Sequence, residues 1–457
     1  MAEFMRNSDA FTWQMESDPR LRSTIVTVVL MDGTPDWDVV RERFDAVSRT
    51  LPMFRQRVVP TPGGTPPRWE PVADFDLDYH VRRVGAPRPA TFEGVLEMAR
   101  LAQMEAFDPA RPMWQATLID GLEGGGSALL CKVHHALTDG VGGVQIGLTL
   151  FDLSARPRQR EPLPDPPAPG RPAALDGYRD ALRYNAGLLG RAVSGGIRAM
   201  PAALADSVRS PLGTIGSASA TAASVYRTVR PVNHTGSGLM TERDLTRRLA
   251  VLDVPRAGLR DAAHRAGGAL NDAFVAGIAG GLRLYHDKHG CAVDELHLTM
   301  PISLRTDDDR PGGNRITLQR FDIPVGEADP ALRMTEIHRR VAQVRAERSL
   351  PLTQLIAGAL NLLPRFVLGE VLLHVDVLAS DVPGVPVPVY LGGAAVTEQY
   401  AFGPTIGSAV NVTLLSYVDT CAFGVDVDTA AIPDPEVFHA CLVEGFDEVL
   451  ALGNPPA

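Results

Sequence analysis

The stretch KVHHALTDGVGG, residues 132–143, sets two histidines side by side and follows them with Asp139 and Gly140. A strand-like apolar run, ALLCKV (128–133), leads into it, and VGGVQIGLTLFDL (141–153) reads as a helix behind it. Residues 134–140 therefore form a strand-to-helix turn, a place where functional groups sit on a loop held by a rigid scaffold. Neighbouring side chains at a strand end point to opposite faces. One histidine can thus pack inward while the other faces a channel. Asp139 can bond within its own turn or pair with a cation, and Gly140, Gly142 and Gly143 allow close backbone approach.

An unperturbed imidazole, with a pKa of about 6.5, is available as a neutral base at pH 7. A base that takes a proton from an attacking hydroxyl is worth about 10²–10⁴-fold in rate. A purely structural histidine pair is the competing reading. A metal site is a third, but the stretch lacks the HExxH spacing and offers no third ligand. No GxSxG occurs in the chain, so a hydrolase elbow is unsupported and direct attack by the acceptor on a bound thioester is the simpler scheme.

Outward from this turn, strand and helix signals alternate, which indicates an α/β fold. TIVTVVL (24–30) and ATLID (116–120) read as strands, and residues 36–50 as a helix with Val39, Phe44 and Val47 at helical spacing. ATLID and ALLCKV are joined by GLEGGGS, the composition of a hairpin connector. From residue 155 the chain becomes rich in proline and charge (RPRQREPLPDPPAPGRP), a linker or exposed loop. Residues 178–200 predict an amphipathic helix, with Arg179, Arg183, Arg191 and Arg198 on one arc and Tyr178, Leu182, Leu189, Val193 and Met200 on the other. A basic amphipathic helix can lie on a membrane or lipid droplet; an ordinary surface helix, apolar side inward, is the alternative. A second alternating region starts near 241. It contains a helix at 271–290, a strand at 295–303, a charged helix at 331–348, a hairpin over 408–428 and a last helix at 434–451. The expected division is 1–154, a linker at 155–240, and 241–457.

The 457 residues suffice for two or three units, and 45 % hydrophobic content supplies a large core. A net charge of −10 argues against a nucleic-acid protein. Cys131, Cys291, Cys421 and Cys441 are widely separated, which argues against a zinc site or disulfide framework and fits a reducing compartment. The N-terminus has no signal-peptide pattern, and no apolar run reaches the roughly 18–20 residues that span a bilayer. The expectation is a cytoplasmic protein, peripheral at the inner membrane or lipid droplets at most.

The turn matches HHxxxDG, and five further segments follow a recognisable order. RPMWQ (111–115) resembles a PLW motif, NDAFVA (271–276) an NDVVLA motif, TMPISLR (299–305) an xVPVSxR segment, GGNRI (312–316) a GNR segment and ASDVPGV (379–385) an SNVPGP motif. Together they resemble the bacterial wax ester synthase/diacylglycerol acyltransferase family, within the HHxxxDG CoA-dependent acyltransferase superfamily. The resemblance implies two chloramphenicol-acetyltransferase-like halves, each a mixed sheet with helices, joined by a Pro-rich helical linker, with a channel between them. It implies transfer of a long-chain acyl group from acyl-CoA, as co-substrate and without other cofactor, to diacylglycerol or a fatty alcohol. His135 would be the general base, with His134 and Asp139 in the same turn and Arg305 as the cation partner of Asp139. Gly140, Trp114, Asn271, Asp272, Arg305, Asn314 and Ser380 would bind or shape the substrate site. Trp114 can equally be a packed aromatic, and Asn271 the cap of a helix beginning at Asp272. The family's opening segment is not recognisable in NSDAFTWQMESDPRLRST (7–24), and Asp381 stands where the family motif has Asn. A non-catalytic acyl-CoA or neutral-lipid binding protein, or an acyltransferase for another hydroxylated acceptor, are the alternatives.

Overall fold

The structure, a computed structural model, describes residues 3–62, 65–137, 140–156, 163, 165, 178–187, 234–303, 316–346 and 374–453. Two six-stranded sheets organise them. The first runs in the order Tyr390–Leu391, Ala394–Phe402, Thr24–Met31, Ser127–His134, Trp114–Asp120, Val81–Gly85. The second runs Ile316–Pro324, Glu295–Ser303, Val377–Val382, Val410–Tyr417, Thr420–Asp428, Arg247–Pro255. Both are mixed: Val81–Gly85 lies parallel to its neighbour, and Val377–Val382 lies parallel to both of its own. A small sheet of Glu3–Phe4, Arg68–Pro71 and Gln56–Val59 stands beside the first.

Local chemistry accounts for the elements. Thr24–Met31 is rich in β-branched residues, which favour strands. The expected hairpin joins Trp114–Asp120 to Ser127–His134, and its connector holds Gly121, Gly124 and Gly125 at φ of 78–84°, a region open to glycine without strain. Helix Trp37–Thr50 starts where the Asp36 carboxylate accepts the amides of Asp38 and Val39, at 2.9 and 3.3 Å. Its inward stripe keeps the expected Phe44 and Val47, while Val40 is buried in place of the half-buried Val39.

The C-terminal part of the chain contributes strands to both sheets. Ala394–Phe402 pairs antiparallel with Thr24–Met31 through a β-bulge between Val396 and Glu398, and Tyr390–Leu391 pairs outside it. Tyr400 and Phe402 are thereby packed with Val26, Val28, Leu130, Leu249 and Ala422, residues drawn from both sheets. Phe402 is fully buried, and burying such a side chain is worth roughly 1.5–3 kcal/mol. Polar ties reinforce the junction. The Gln103 amide donates to the Gly403 carbonyl (2.9 Å) and to Asp426 (3.2 Å). Asp426 in turn receives Arg247 at 2.8 Å, a buried pair whose rupture costs about 3–5 kcal/mol.

Behind the second sheet, helices Leu270–Lys288 and Pro435–Gly453 meet through glycines. Gly445 has no room for a side chain: a Cβ there would stand 2.2 Å from the Gly281 nitrogen and 2.6 Å from the Gly277 oxygen. Backbone cannot move aside as a flexible side chain can. Gly445→Ala should therefore destabilise the protein by at least about 1–3 kcal/mol, read as a lower urea midpoint. An unchanged midpoint would contradict this packing.

Candidate active site

The histidine turn grows from the strand Ser127–His134, which lies inside the first sheet between Thr24–Met31 and Trp114–Asp120. The last residue of that strand, His134, pairs with Thr24 and donates its backbone N–H to Met113 at 3.0 Å. Its side chain is 1 % exposed. The Ala136 amide donates to His134 Nδ1 at 3.0 Å, so Nδ1 is the unprotonated nitrogen and Nε2 carries the hydrogen. Burial first, and the neighbouring His135 second, push its pKa down to about 3. His134 is a neutral, inward-facing residue at physiological pH.

His135 is held differently. Its backbone N–H donates to the Ser23 carbonyl at 2.8 Å, and its side chain is half-buried. The Leu137 amide returns to the His134 carbonyl at 2.9 Å, and Ala136 and Leu137 are buried. The turn is thus fixed by its backbone, by the buried His134 before His135 and by two apolar anchors after it. Thr138 and Asp139 lie outside the described residues, and helix Gly140–Leu150 follows. The opposite helix end is secured by Arg43, whose guanidinium meets both Asp152 carboxylate oxygens, at 3.2 and 3.0 Å, in a buried ion pair.

The remaining candidates divide into core, cap and sheet positions. Trp114 is a core residue. It is 1 % exposed, stacks on His80 at 4.5 Å, packs against Phe44 and Phe54, and donates its indole N–H to the Phe54 carbonyl. That placement is the packed aromatic of the two readings the sequence offers for this residue. The helix carrying NDAFVA starts at Leu270, and Asp272 rather than Asn271 performs the capping, accepting the Ala269 amide at 2.7 Å. Asp272 also meets His338 Nδ1 at 2.7 Å. Asn271 Oδ1 is buried with no hydrogen-bond partner among the described residues. Ser380 sits in the second sheet opposite Thr413. Next to it the Asp381 carboxyl is pushed up to about 6 by burial, opposed by the charge of Arg256. Gly384 donates to Ser416 Oγ at 3.1 Å, and a Cβ there would overlap the Ser416 carbonyl, which accounts for glycine in that turn. Arg305 and Asn314 lie outside the described residues.

Three neighbours of the turn and its helix had no signature in the sequence: Glu16, Ser23 and the Arg43–Asp152 pair. Each acts across a long stretch of chain, and only the folded sheet brings it to the turn. Cys131, on the histidine strand, has its thiol pushed up to about 12 by burial, so it stays protonated. Among the described residues no group of three or more His, Cys, Asp and Glu side chains is placed to hold a metal ion.

The mixed two-sheet fold is the one seen in solved condensation domains. The wax ester synthase/diacylglycerol acyltransferase catalytic domain matches residues 5–274, and the WS/DGAT C-terminal domain matches residues 312–449. A candidate diacylglycerol O-acyltransferase of Mycobacterium tuberculosis is 38 % identical over 453 residues, covering 97 % of this chain and 90 % of that protein. The wax ester synthase/diacylglycerol acyltransferase of Marinobacter aquaeolei VT8 superposes over 98 % of each chain with a TM-score of 0.65 at 19 % identity. The starter condensation domain of rhizomide synthetase, solved with C8-CoA and Leu-SNAC, shares the fold with a TM-score of 0.60 at 12 % identity, over 99 % of this chain and 94 % of its own. The chain belongs to the wax ester synthase/diacylglycerol acyltransferase family and is an acyltransferase enzyme.

The buried histidines carry a pH signature. The folded pKa of His134 is about 3 and that of His80 about 4, against about 6.5 when unfolded. The unfolded chain therefore binds protons that the folded chain refuses. Their contribution is intact above about pH 6.5 and is lost as pH falls towards 3–4, at up to about 1.4 kcal/mol per pH unit for each. His134→Asn, whose Oδ1 can still accept the Ala136 amide, should flatten the decline of urea midpoint between about pH 6.5 and 4. Parallel curves for variant and wild type would contradict the neutral, buried state of His134.

Proposed function

We propose that the enzyme moves a long-chain acyl group from acyl-CoA to diacylglycerol, a long-chain alcohol, or both. In this reading His135 takes the proton of the acceptor hydroxyl while its oxygen attacks the thioester carbonyl. The new C–O bond forms, the C–S bond breaks, and the proton held by His135 passes to the departing CoA thiolate. No acyl-enzyme and no further cofactor is required. The observation that carries the reading is the difference between the two histidines. His134 is buried, neutral and occupied at Nδ1 by its own turn, whereas His135 is half-buried and held through its backbone. Support for acyl-CoA as donor comes from family membership and from the rhizomide synthetase condensation domain solved with C8-CoA.

The same reading places the thioester and the acceptor in a channel between the two sheets. Gly140, Asn271, Asp272, Arg305, Asn314 and Ser380 shape that channel, and an Asp139–Arg305 ion pair steadies the turn. Asn271 Oδ1, buried with no hydrogen-bond partner among the described residues, supports a polar role there in place of helix capping. The products are apolar and must leave into lipid. On the helical residues 178–187, Ala181 is buried and the Tyr184 ring rests on Phe4, while Tyr178 and Leu182 are 61 % and 71 % exposed. Those two apolar side chains support peripheral contact with a membrane or droplet surface; residues 188–200 of the expected helix lie outside the described residues. Among the described residues, no helix is long and apolar enough to cross a membrane.

The test is CoA release from palmitoyl-CoA with hexadecanol, with dipalmitoylglycerol and with no acceptor. Acceptor-dependent release should fall by about 10²–10⁴-fold in folded His135→Ala. Release undiminished in that variant would remove His135 from the chemistry, and no acceptor-dependent release by the wild type would favour a lipid-binding role.

A further inference from the structure

Glu16 follows the first helix, Asn7–Met15, in a part of the sequence without a recognisable motif. Its carboxylate is mostly buried and spans three partners. Oε1 accepts the Ser23 amide at 2.7 Å, and Oε2 receives Arg22 Nη1 at 2.8 Å. Oε1 also lies 3.7 Å from His134 Nε2, beyond hydrogen-bond range. The Nε2–H has no hydrogen-bond partner among the described residues, and the Glu16 carboxylate stands in front of it.

The segment that Glu16 holds is the one that holds the turn. Ser23 receives the His135 amide on its carbonyl at 2.8 Å while giving its own amide to Glu16. Its hydroxyl reaches the Thr12 carbonyl at 3.2 Å. Arg22 is tied to the Met104 carbonyl at 3.1 Å, at the end of helix Phe92–Met104. From the C-terminal part of the chain, Gly407 donates to the Arg20 carbonyl at 3.1 Å, and Thr405 Oγ1 lies 3.2 Å from that oxygen. Residues 16–23 thus stand between the 405–407 loop and the histidine turn, and the Glu16 carboxylate closes the segment on itself.

Resting on the reading of His135 as the base, we infer that Glu16 is a positioning residue for acyl transfer. It fixes Ser23, Ser23 fixes the His135 backbone, and the same carboxylate faces the inward histidine. A glutamine cannot replace it in full. If its carbonyl oxygen accepts the Ser23 amide, its NH₂ group meets the Arg22 guanidinium, donor against donor; turned over, it meets the Ser23 N–H the same way. An aspartate keeps the charge but withdraws it by one methylene.

The experiment compares wild type, Glu16→Gln and Glu16→Asp by steady-state kinetics with palmitoyl-CoA and by amide hydrogen exchange. Both variants should remain folded by circular dichroism. Each should keep the KM for palmitoyl-CoA within about twofold, since the base is displaced and not the donor site, while kcat falls at least about tenfold. The amides of Ser23 and His135 should exchange faster in both. Wild-type kcat in either folded variant overturns the inference, as does unchanged exchange at those two amides. The exchange measurement needs no turnover: if the wild type shows no acyl transfer, the reading of His135 as base has failed, and exchange alone still decides whether Glu16 positions the turn.

Discussion

The Ala136 amide donating to His134 Nδ1 is the contact on which the geometry of the histidine turn depends. It selects one tautomer of a buried imidazole, bends the chain directly after the strand, and leaves the next residue at the mouth of the turn. Burial then keeps that imidazole neutral. A charged ring in its place would have to be compensated in a low-dielectric interior, at a cost of several kcal/mol. The two adjacent histidines are therefore chemically unlike because of where the sheet puts them. One is a fully buried strut, and the other is half-buried.

Holding a base in register demands that its supports be rigid, because catalytic geometry tolerates only small displacements. The fold supplies rigidity by weaving. Strand Ala394–Phe402 leaves the C-terminal part of the chain, completes the first sheet beside Thr24–Met31, and returns through residues 403–409 into the second sheet. On the way back it touches the backbone of residues 20–22, and residue 23 holds His135. The second sheet is thus connected to the histidine turn through one short segment of the first. The buried Gln103, Arg247 and Asp426 ties secure the same junction from the other side.

Much of this was legible in the sequence, and what was not has a physical cause. The strand Thr24–Met31, the Gly-rich hairpin and the helices at 37–50 and 270–288 follow from side-chain periodicity and turn chemistry, which are local. Six ordered motifs pointed to the family, and the matches over residues 5–274 and 312–449 bear this out. The partner of Ala394–Phe402 was not legible, because a strand's own pattern does not say which sheet it joins. Capping went to Asp272 rather than Asn271 because the helix begins at Leu270, two residues before the start that an Asn271 cap requires. Trp114 looked like a motif residue but is fully packed. The approach of Glu16 and Ser23 to the histidine turn and the Arg43–Asp152 pair left no trace, since each joins segments far apart in the chain.

The central claim is that the acyl group passes directly from thioester to acceptor, with His135 handling only the proton. Intact-protein mass spectrometry, after mixing enzyme with palmitoyl-CoA in the absence of acceptor, tests it most directly. The account predicts an unmodified mass at times when the acceptor-supplied reaction has turned over many times. A palmitoyl adduct that forms within one turnover and is discharged by added hexadecanol or dipalmitoylglycerol would contradict it, and would assign a covalent nucleophile to the chain.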